Sequence, residues 1–380
     1  MSGAFGAFFM DIFFKNIDGQ TRVKNILTNF ALTSNIPHAL LFTGNEGVGK
    51  EKIAIRFAQL VNLKSVNNDE REKILNLTAN FSEPYLKYII PLPRGKNETD
   101  SDGPTDKLSN EEIEQLRIEL QKKIDNHYYK INLSKANTIK INSIRDIKKF
   151  LAMDYSDIAY RIVIISSAHL MNEAAQNALL KNLEEPPPGV VFILITSFPE
   201  RLRETIRSRC WNVNFDPLTN EDLKNILIKE FKIEKSQAEM VAPFADGSIY
   251  TALRLLEMDI ENLNENIISI LRYSLGKKYH SAFEEYYSMI KDQTAENINL
   301  IIKMLITWLN DLQKYKLGVE HYFFNDYKET LKKFNSKFPN VEPKDSVFNL
   351  DRLSTYIKNN INTNLITANI IFEISSLSTK

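Results

Sequence analysis

The stretch ALLFTGNEGVGKE, residues 39–51, decides the reading of this chain. Ala39 to Thr43 is a continuous apolar run suited to a buried parallel strand. It runs into Gly44, Gly49 and Lys50, which fit the G-x-x-x-x-G-K spacing with Gly47 between them, and then into KIAIRFAQLV, residues 52–61, which has a helical period. In a strand, glycine loop and helix of this kind, backbone N–H groups wrap phosphates and the lysine ammonium reaches the outer ones. The next position normally holds Ser or Thr, whose hydroxyl ligates magnesium. Here it is Glu51. A carboxylate can also ligate magnesium, so this change alone leaves hydrolysis open.

A second strand narrows the choice. In phosphate-loop enzymes the strand equivalent to RIVIIS, residues 161–166, ends in an Asp that organises the metal shell, followed in many by a Glu that activates water. Those positions are Ser166 and Ser167. A serine hydroxyl, unless itself activated, titrates far too high to act as a general base near neutral pH. The blander reading is a core strand with polar residues at its mouth.

Working outward, RVKNILTNFALTS (residues 22–34) predicts a helix before the first strand. Residues 64–128 read as an exposed insertion: PLPRGKNETDSDGPTDK (91–107) has loop composition, and Ser109 with Glu112 predicts a capping box opening a helix striped by Ile113, Leu116, Leu120 and Ile124. Short extended runs at KINL and TIKI, a helix over 143–153, the strand RIVIIS, the helix EAAQNALLKNLEE and the strand VVFILITS follow. This alternation predicts a doubly wound α/β domain, a parallel sheet flanked by helices, over residues 1–215. Two capping boxes, Thr219 with Asp222 and Ser236 with Glu239, mark a small helical domain over 216–256, and residues 257–380 carry helical periods without strands.

With 43% hydrophobic and 25% charged residues, the chain is long enough for two or three cores. Lys plus Arg and Asp plus Glu number 48 each, so no global field draws it to nucleic acid or to a membrane. The single cysteine, Cys210, excludes an internal disulfide and a multi-cysteine zinc site, and fits a reducing compartment, with the cytoplasm as default. The N-terminal MSGAFGAFFMDIFF lacks a basic flank and meets Asp11 early; neither a signal peptide nor a membrane helix is expected.

FKNIDGQ (14–20), HALLFTGNEGVGK (38–50), AHLMNEAAQNALLKNLEEPPPGVVFILITSFPERLRETIRSRC (168–210) and DGSIYTALRLL (246–256) together resemble the clamp-loader branch of the AAA+ proteins, with the delta-prime type of bacterial DNA polymerase III subunit as the nearest pattern. The resemblance is dense over residues 12–62 and 129–256, weak in the insertion, and compositional in the last third. It implies an AAA+ module, a helical lid and a helical collar that holds the subunit in a hetero-oligomer with an ATPase subunit and a delta subunit. Sliding clamp and primer-template DNA would be met through that complex.

The resemblance further implies that Arg209, within the triplet Ser208, Arg209 and Cys210, enters a neighbour's ATP site as an arginine finger. A planar, permanently charged fork suits that role; the plainer alternative is an arginine that caps or salt-bridges a strand end. Cys210 reads as a small buried hydrophobe. Tyr250 falls where active relatives carry a second sensor arginine, Arg254 lies one turn beyond and reads as an ordinary lid arginine, and Thr196 and Ser197 occupy the first sensor region. The family's four-cysteine zinc module cannot exist here, and the 64–128 insertion stands in its place. The implied function is a non-hydrolysing clamp-loader subunit with ATP binding doubtful. The alternatives are an active ATPase using Glu51, a nucleotide sensor, and a helicase loader.

Overall fold

Strict alternation of burial partners along the strands builds the first half of the molecule. The computed structural model describes residues 14, 17–63, 68–83, 85–152, 158–258, 260–289, 294–320, 322–357 and 362–378; the apolar start, residues 1–13, and Met153 lie outside them. Five strands, β1 (Ala39–Thr43), β2 (Leu86–Ile89), β3 (Arg161–Ile165), β4 (Val190–Thr196) and β5 (Trp211–Asn214), form one sheet in the order β2-β3-β4-β1-β5, and every pairing is parallel. Leu40, Phe42, Ile162, Ile164, Val191, Ile193 and Ile195 face a core shared with Val23, Leu27, Ile53 and Phe57 of the helices Thr21–Thr33 and Lys50–Asn62. Ala39, Leu41, Val163, Ile165, Phe192 and Leu194 face the opposite core, with Ile144, Ile147, Ala175 and Leu179 of the helices Ile141–Ala152 and Glu173–Glu184. Both sheet faces are covered, which is why β1 and β4 are buried throughout.

The segment 64–128 is more than an exposed insertion. It supplies the edge strand β2 and two helices, Asn68–Ala79 and Asn110–Asp125. The signal was weak because β2 is four residues long with only its ends buried. The Asn110–Asp125 helix opens on the expected capping box of Ser109 and Glu112. Leu116 and Leu120 pack on Ile90, Leu92 and Leu133, yet the fully buried members of this helix are Glu119 and Lys123. The runs KINL and TIKI form no ladder beyond a single bridge between Ile139 and Met171. Residues 91–107 are irregular, pinned by buried Glu98, which takes the ammonium of Lys140 at 2.8 Å and the N–H of Gly95 at 2.8 Å.

Contacts divide the chain into two units, Met1–Lys232 with Gly247–Thr251, and Ile233–Asp246 with Ala252–Lys380, so the 216–256 segment contributes to both. The second unit is helical in its described residues, and its longest helix, Ala295–Lys316, buries Ile298, Ile301, Ile302, Leu305, Trp308 and Leu309. Asp311 of that helix is fully buried and accepts the N–H groups of Phe323 at 2.7 Å and Phe324 at 2.8 Å, besides the ammonium of Lys314 at 3.2 Å. The carboxylate thus satisfies two backbone donors that would otherwise be stranded. Burial raises its pKa against these partners.

Thr219 caps the helix Asn220–Lys229 in a complete box with Asp222. Ser236 does not cap: the helix Lys235–Val241 starts after Glu234 without a side-chain bond, leaving Ser236 exposed in its first turn. Thr219→Ala is therefore expected to cost about 1 kcal/mol in urea unfolding, and Ser236→Ala less than about 0.5 kcal/mol. Equal costs for the two would refute this assignment of caps.

Candidate phosphate-loop site

Parallel pairing sends the C-terminal ends of β1, β3 and β4 to one rim, so the glycine loop, Ser166 and Thr196 meet there although they lie far apart in sequence. They line one cavity of about 340 Å³, with Gly47, Gly49, Lys50 and Glu51 on one side and Tyr128 to Leu133 on the other. Ser166, Ser167, His169 and Ser197 also line it.

Loop shape depends on two glycines. Gly44 has φ +134° with its hydrogen against the carbonyl of Phe215, and Gly47 has φ +75° against Ser248 Oγ and the N–H of Tyr250. Any Cβ at either place is strained by φ and blocked by backbone. Tyr250 is thus brought to the loop, where Ile249 donates its N–H to the carbonyl of Gly47 at 3.0 Å and the ammonium of Lys130 stands 5.6 Å over the Tyr250 ring. The phenol supplies no cation there. Arg254 is held elsewhere, donating to Asn297 at 2.8 Å.

Lys50 turns inward. Its ammonium donates to the carbonyl of Gly44 at 2.6 Å, to that of Asn45, and to Ser197 Oγ at 3.2 Å. Burial brings its pKa down to about 8, against the opposing pull of Glu51 and Glu46. Thr196 Oγ1 accepts the N–H of Phe198 at 2.9 Å and lies 3.0 Å from His169 Nδ1. Burial, helped by Arg201, brings the His169 pKa down to about 4, so the ring is neutral near pH 7. Thr196 and Ser197 therefore hold strand-end and lysine hydrogen bonds.

Glu51 follows Lys50, where the phosphate-loop pattern has a hydroxyl, and three donors already hold its carboxylate. Tyr88 donates its hydroxyl at 3.0 Å, Ser166 donates its own to the same oxygen, and the ammonium of Lys123 pairs with the other. Burial alone would raise the carboxyl pKa, but the charge of Lys123 and these hydrogen bonds outweigh it and hold the group below its usual range. Lys123 also donates to the carbonyls of His127 at 2.8 Å and Tyr129 at 2.6 Å, so all three of its donors are used. Magnesium demands near-ideal octahedral oxygen ligation. These residues do not fit it: the Glu51 carboxylate is neutralised by a lysine, and the residues at the end of β3 beside it are the neutral Ser166 and Ser167. Among the described residues no group of three or more His, Cys, Asp or Glu could hold a metal.

Sequence reasoning missed Lys123, Tyr88 and His169. Only the apolar stripe of the Asn110–Asp125 helix was visible; a lysine flanking it reads as solvated.

Ser208, Arg209 and Cys210 lie apart from this cluster, between the short helix Glu204–Arg207 and β5, and none lines the cavity. The Arg209 guanidinium, 37% exposed, bonds the carbonyl of Thr205 at 3.0 Å and pairs with Glu184 at 3.1 Å. Ser208 Oγ donates to the same carbonyl at 3.2 Å. Burial pushes the Cys210 thiol up to about 12, so it stays protonated and poorly nucleophilic near pH 7.

Comparison with known proteins gives a consistent picture. The family model described as DNA polymerase III, delta subunit, matches residues 19–219, and that described as DNA polymerase III, delta subunit, C terminal, matches residues 264–376. The tau subunit of DNA polymerase III from Bacillus subtilis is 28% identical over 65% of this chain, which spans only 38% of that protein. A gamma subunit from Buchnera aphidicola of Acyrthosiphon pisum is 26% identical over 87% of both chains, and the Escherichia coli delta' subunit is 29% identical over 50% of this chain and 56% of its own. A solved gamma-subunit-related structure from Thermotoga maritima covers 93% of this chain and 99% of its own at 15% identity with a TM-score of 0.44, a likeness too loose to carry any argument.

Gly47→Ala should destabilise the chain by more than about 2 kcal/mol, because it adds a collision to the cost of a left-handed backbone. Gly318→Ala, at φ +72° but with open space around it, should cost only about 1 kcal/mol. Urea unfolding of both variants checks the order; a cheaper Gly47→Ala would refute the close approach of residues 248–250 to the loop.

Proposed function

Since the chain belongs to the DNA polymerase III delta-subunit family of clamp-loader proteins, we propose that it is the non-hydrolysing, delta-prime-type member of such a loader. The single observation that supports this most is the Glu51 carboxylate held by three donors of the chain itself. Where a hydrolytic site holds magnesium and its acids, this chain holds a carboxylate bonded to Lys123, Ser166 and Tyr88. Among the described residues no cluster of three or more His, Cys, Asp or Glu stands there to organise a metal shell, which also weighs against an ATPase built around Glu51.

In this reading the subunit acts on a neighbour's nucleotide. Arg209 sits on an exposed turn away from its own cavity, and its ion pair with Glu184 is of the exposed kind, worth about 0–1 kcal/mol. A partner's phosphates could take it from Glu184 at little cost. Once there, the guanidinium fork would follow charge developing on the transferred phosphoryl group, an effect of about 10³- to 10⁵-fold in related systems. The helices after residue 257 would form the collar that assembles with an ATPase subunit and a delta subunit, and clamp and primer-template DNA would be met in the cytoplasm through that complex. No helix among the described residues is long and apolar enough to cross a membrane.

Two outcomes are expected. The purified chain turns over no ATP above background; turnover abolished by Lys50→Ala would overturn the reading. In a reconstituted loader, Arg209→Ala leaves assembly intact and lowers clamp- and DNA-stimulated ATPase, while Arg209→Lys rescues little because an ammonium lacks the fork. Equal rates with assembly confirmed would reduce Arg209 to a surface arginine paired with Glu184.

A further inference from the structure

The Glu51 and Lys123 pair joins two helix ends of opposite polarity. Glu51 lies in the first turn of Lys50–Asn62 and Lys123 in the last turn of Asn110–Asp125, so each side chain also offsets the dipole end that carries it. Their side chains are only 16% and 5% exposed. A pair this deep is costly to desolvate and survives only if its remaining donors and acceptors are satisfied. They are, by Ser166 and Tyr88 on the carboxylate and by the carbonyls of His127 and Tyr129 on the ammonium. Tyr88 is itself fixed by stacking on Phe81, with ring centroids 4.3 Å apart and planes 8° from parallel. The other charged groups at this rim are Lys50, which faces its own loop carbonyls, and Glu46, paired with Lys130 at 3.0 Å.

We propose that Lys123 is the resident cation of the phosphate-loop site, a tethered ammonium standing where magnesium would bind, so that the rim keeps its shape without metal or nucleotide. The segment 64–128 then contributes directly to the site, because its last helix carries that cation to Glu51, and residues 127–133, which follow it, close over the loop. This inference concerns the subunit's own rim and does not depend on any role for Arg209.

The test is thermal unfolding of the full chain in EDTA and in millimolar MgCl2. The wild-type midpoint should be the same in both. Lys123→Met should lower it by about 6 °C or more in EDTA, because it strands a buried carboxylate, and MgCl2 should restore part of the loss. Lys123→Met with Glu51→Gln should fall less than Lys123→Met alone and ignore MgCl2. A wild-type chain stabilised by MgCl2, or a Lys123→Met variant indifferent to it, would overturn the proposal. If Lys123→Met gives no folded protein, electron paramagnetic resonance of Mn2+ with the wild-type chain decides. Free Mn2+ supports the tethered cation, and one stoichiometric site lost in Glu51→Gln overturns it.

Discussion

Parallel pairing of β1 with β4, Ala39 to Thr43 against Phe192 to Thr196, is the constraint on which the first unit depends. Because all strands run the same way, their crossovers must cover both faces, and every C-terminal end arrives at one rim. The rim then collects groups from four parts of the chain: the glycine loop after β1, Tyr88 of β2, Ser166 after β3, and Thr196 with Ser197 at the end of β4. A shift of β4 by one residue would exchange its two apolar faces and remove Ser197 from Lys50, so core packing and site geometry are specified by the same register.

Within that rim, charge is settled internally. Lys50 spends its donors on its own loop and Ser197, and Glu51 spends its acceptors on Lys123, Ser166 and Tyr88. Both side chains are thus paired within the protein. Ser166 and Ser167 bring no negative charge near Glu51, and the Lys123 ammonium balances its carboxylate. A carboxylate buried at that position without a cation would cost several kcal/mol.

The turn that carries Arg209 is organised on the opposite principle. Its partners are exposed, its ion pair is weak, and Ile206 and the half-buried Cys210 anchor it to the core. The rim is thus paired deep within the protein, whereas Arg209 is paired loosely at the surface.

Much of the fold was legible from residues 39–62 and 161–196, where apolar runs of strand length alternate with helical periods and glycines sit at fixed spacing. Such local patterns are readable because burial on a strand or helix face imposes its own period. The glycine loop, Lys50, Glu51, Ser166, Ser167 and Tyr250 could be named from spacing and family resemblance, and tertiary structure brings all six to one place. Strand β2 could not be read, since four residues with only the two ends buried carry too little pattern, nor could the idle cap at Ser236, whose spacing matched a box that the helix start does not use. Lys123 was beyond reach for a deeper reason. A lysine in the last turn of an amphipathic helix looks solvated, and its burial follows only once the sheet has set the Glu51 carboxylate beside that helix end. Sequence determined which residues stand at the loop and at the strand ends; the three-dimensional fold decided how they pair, because long-range electrostatic pairing leaves no period in the chain.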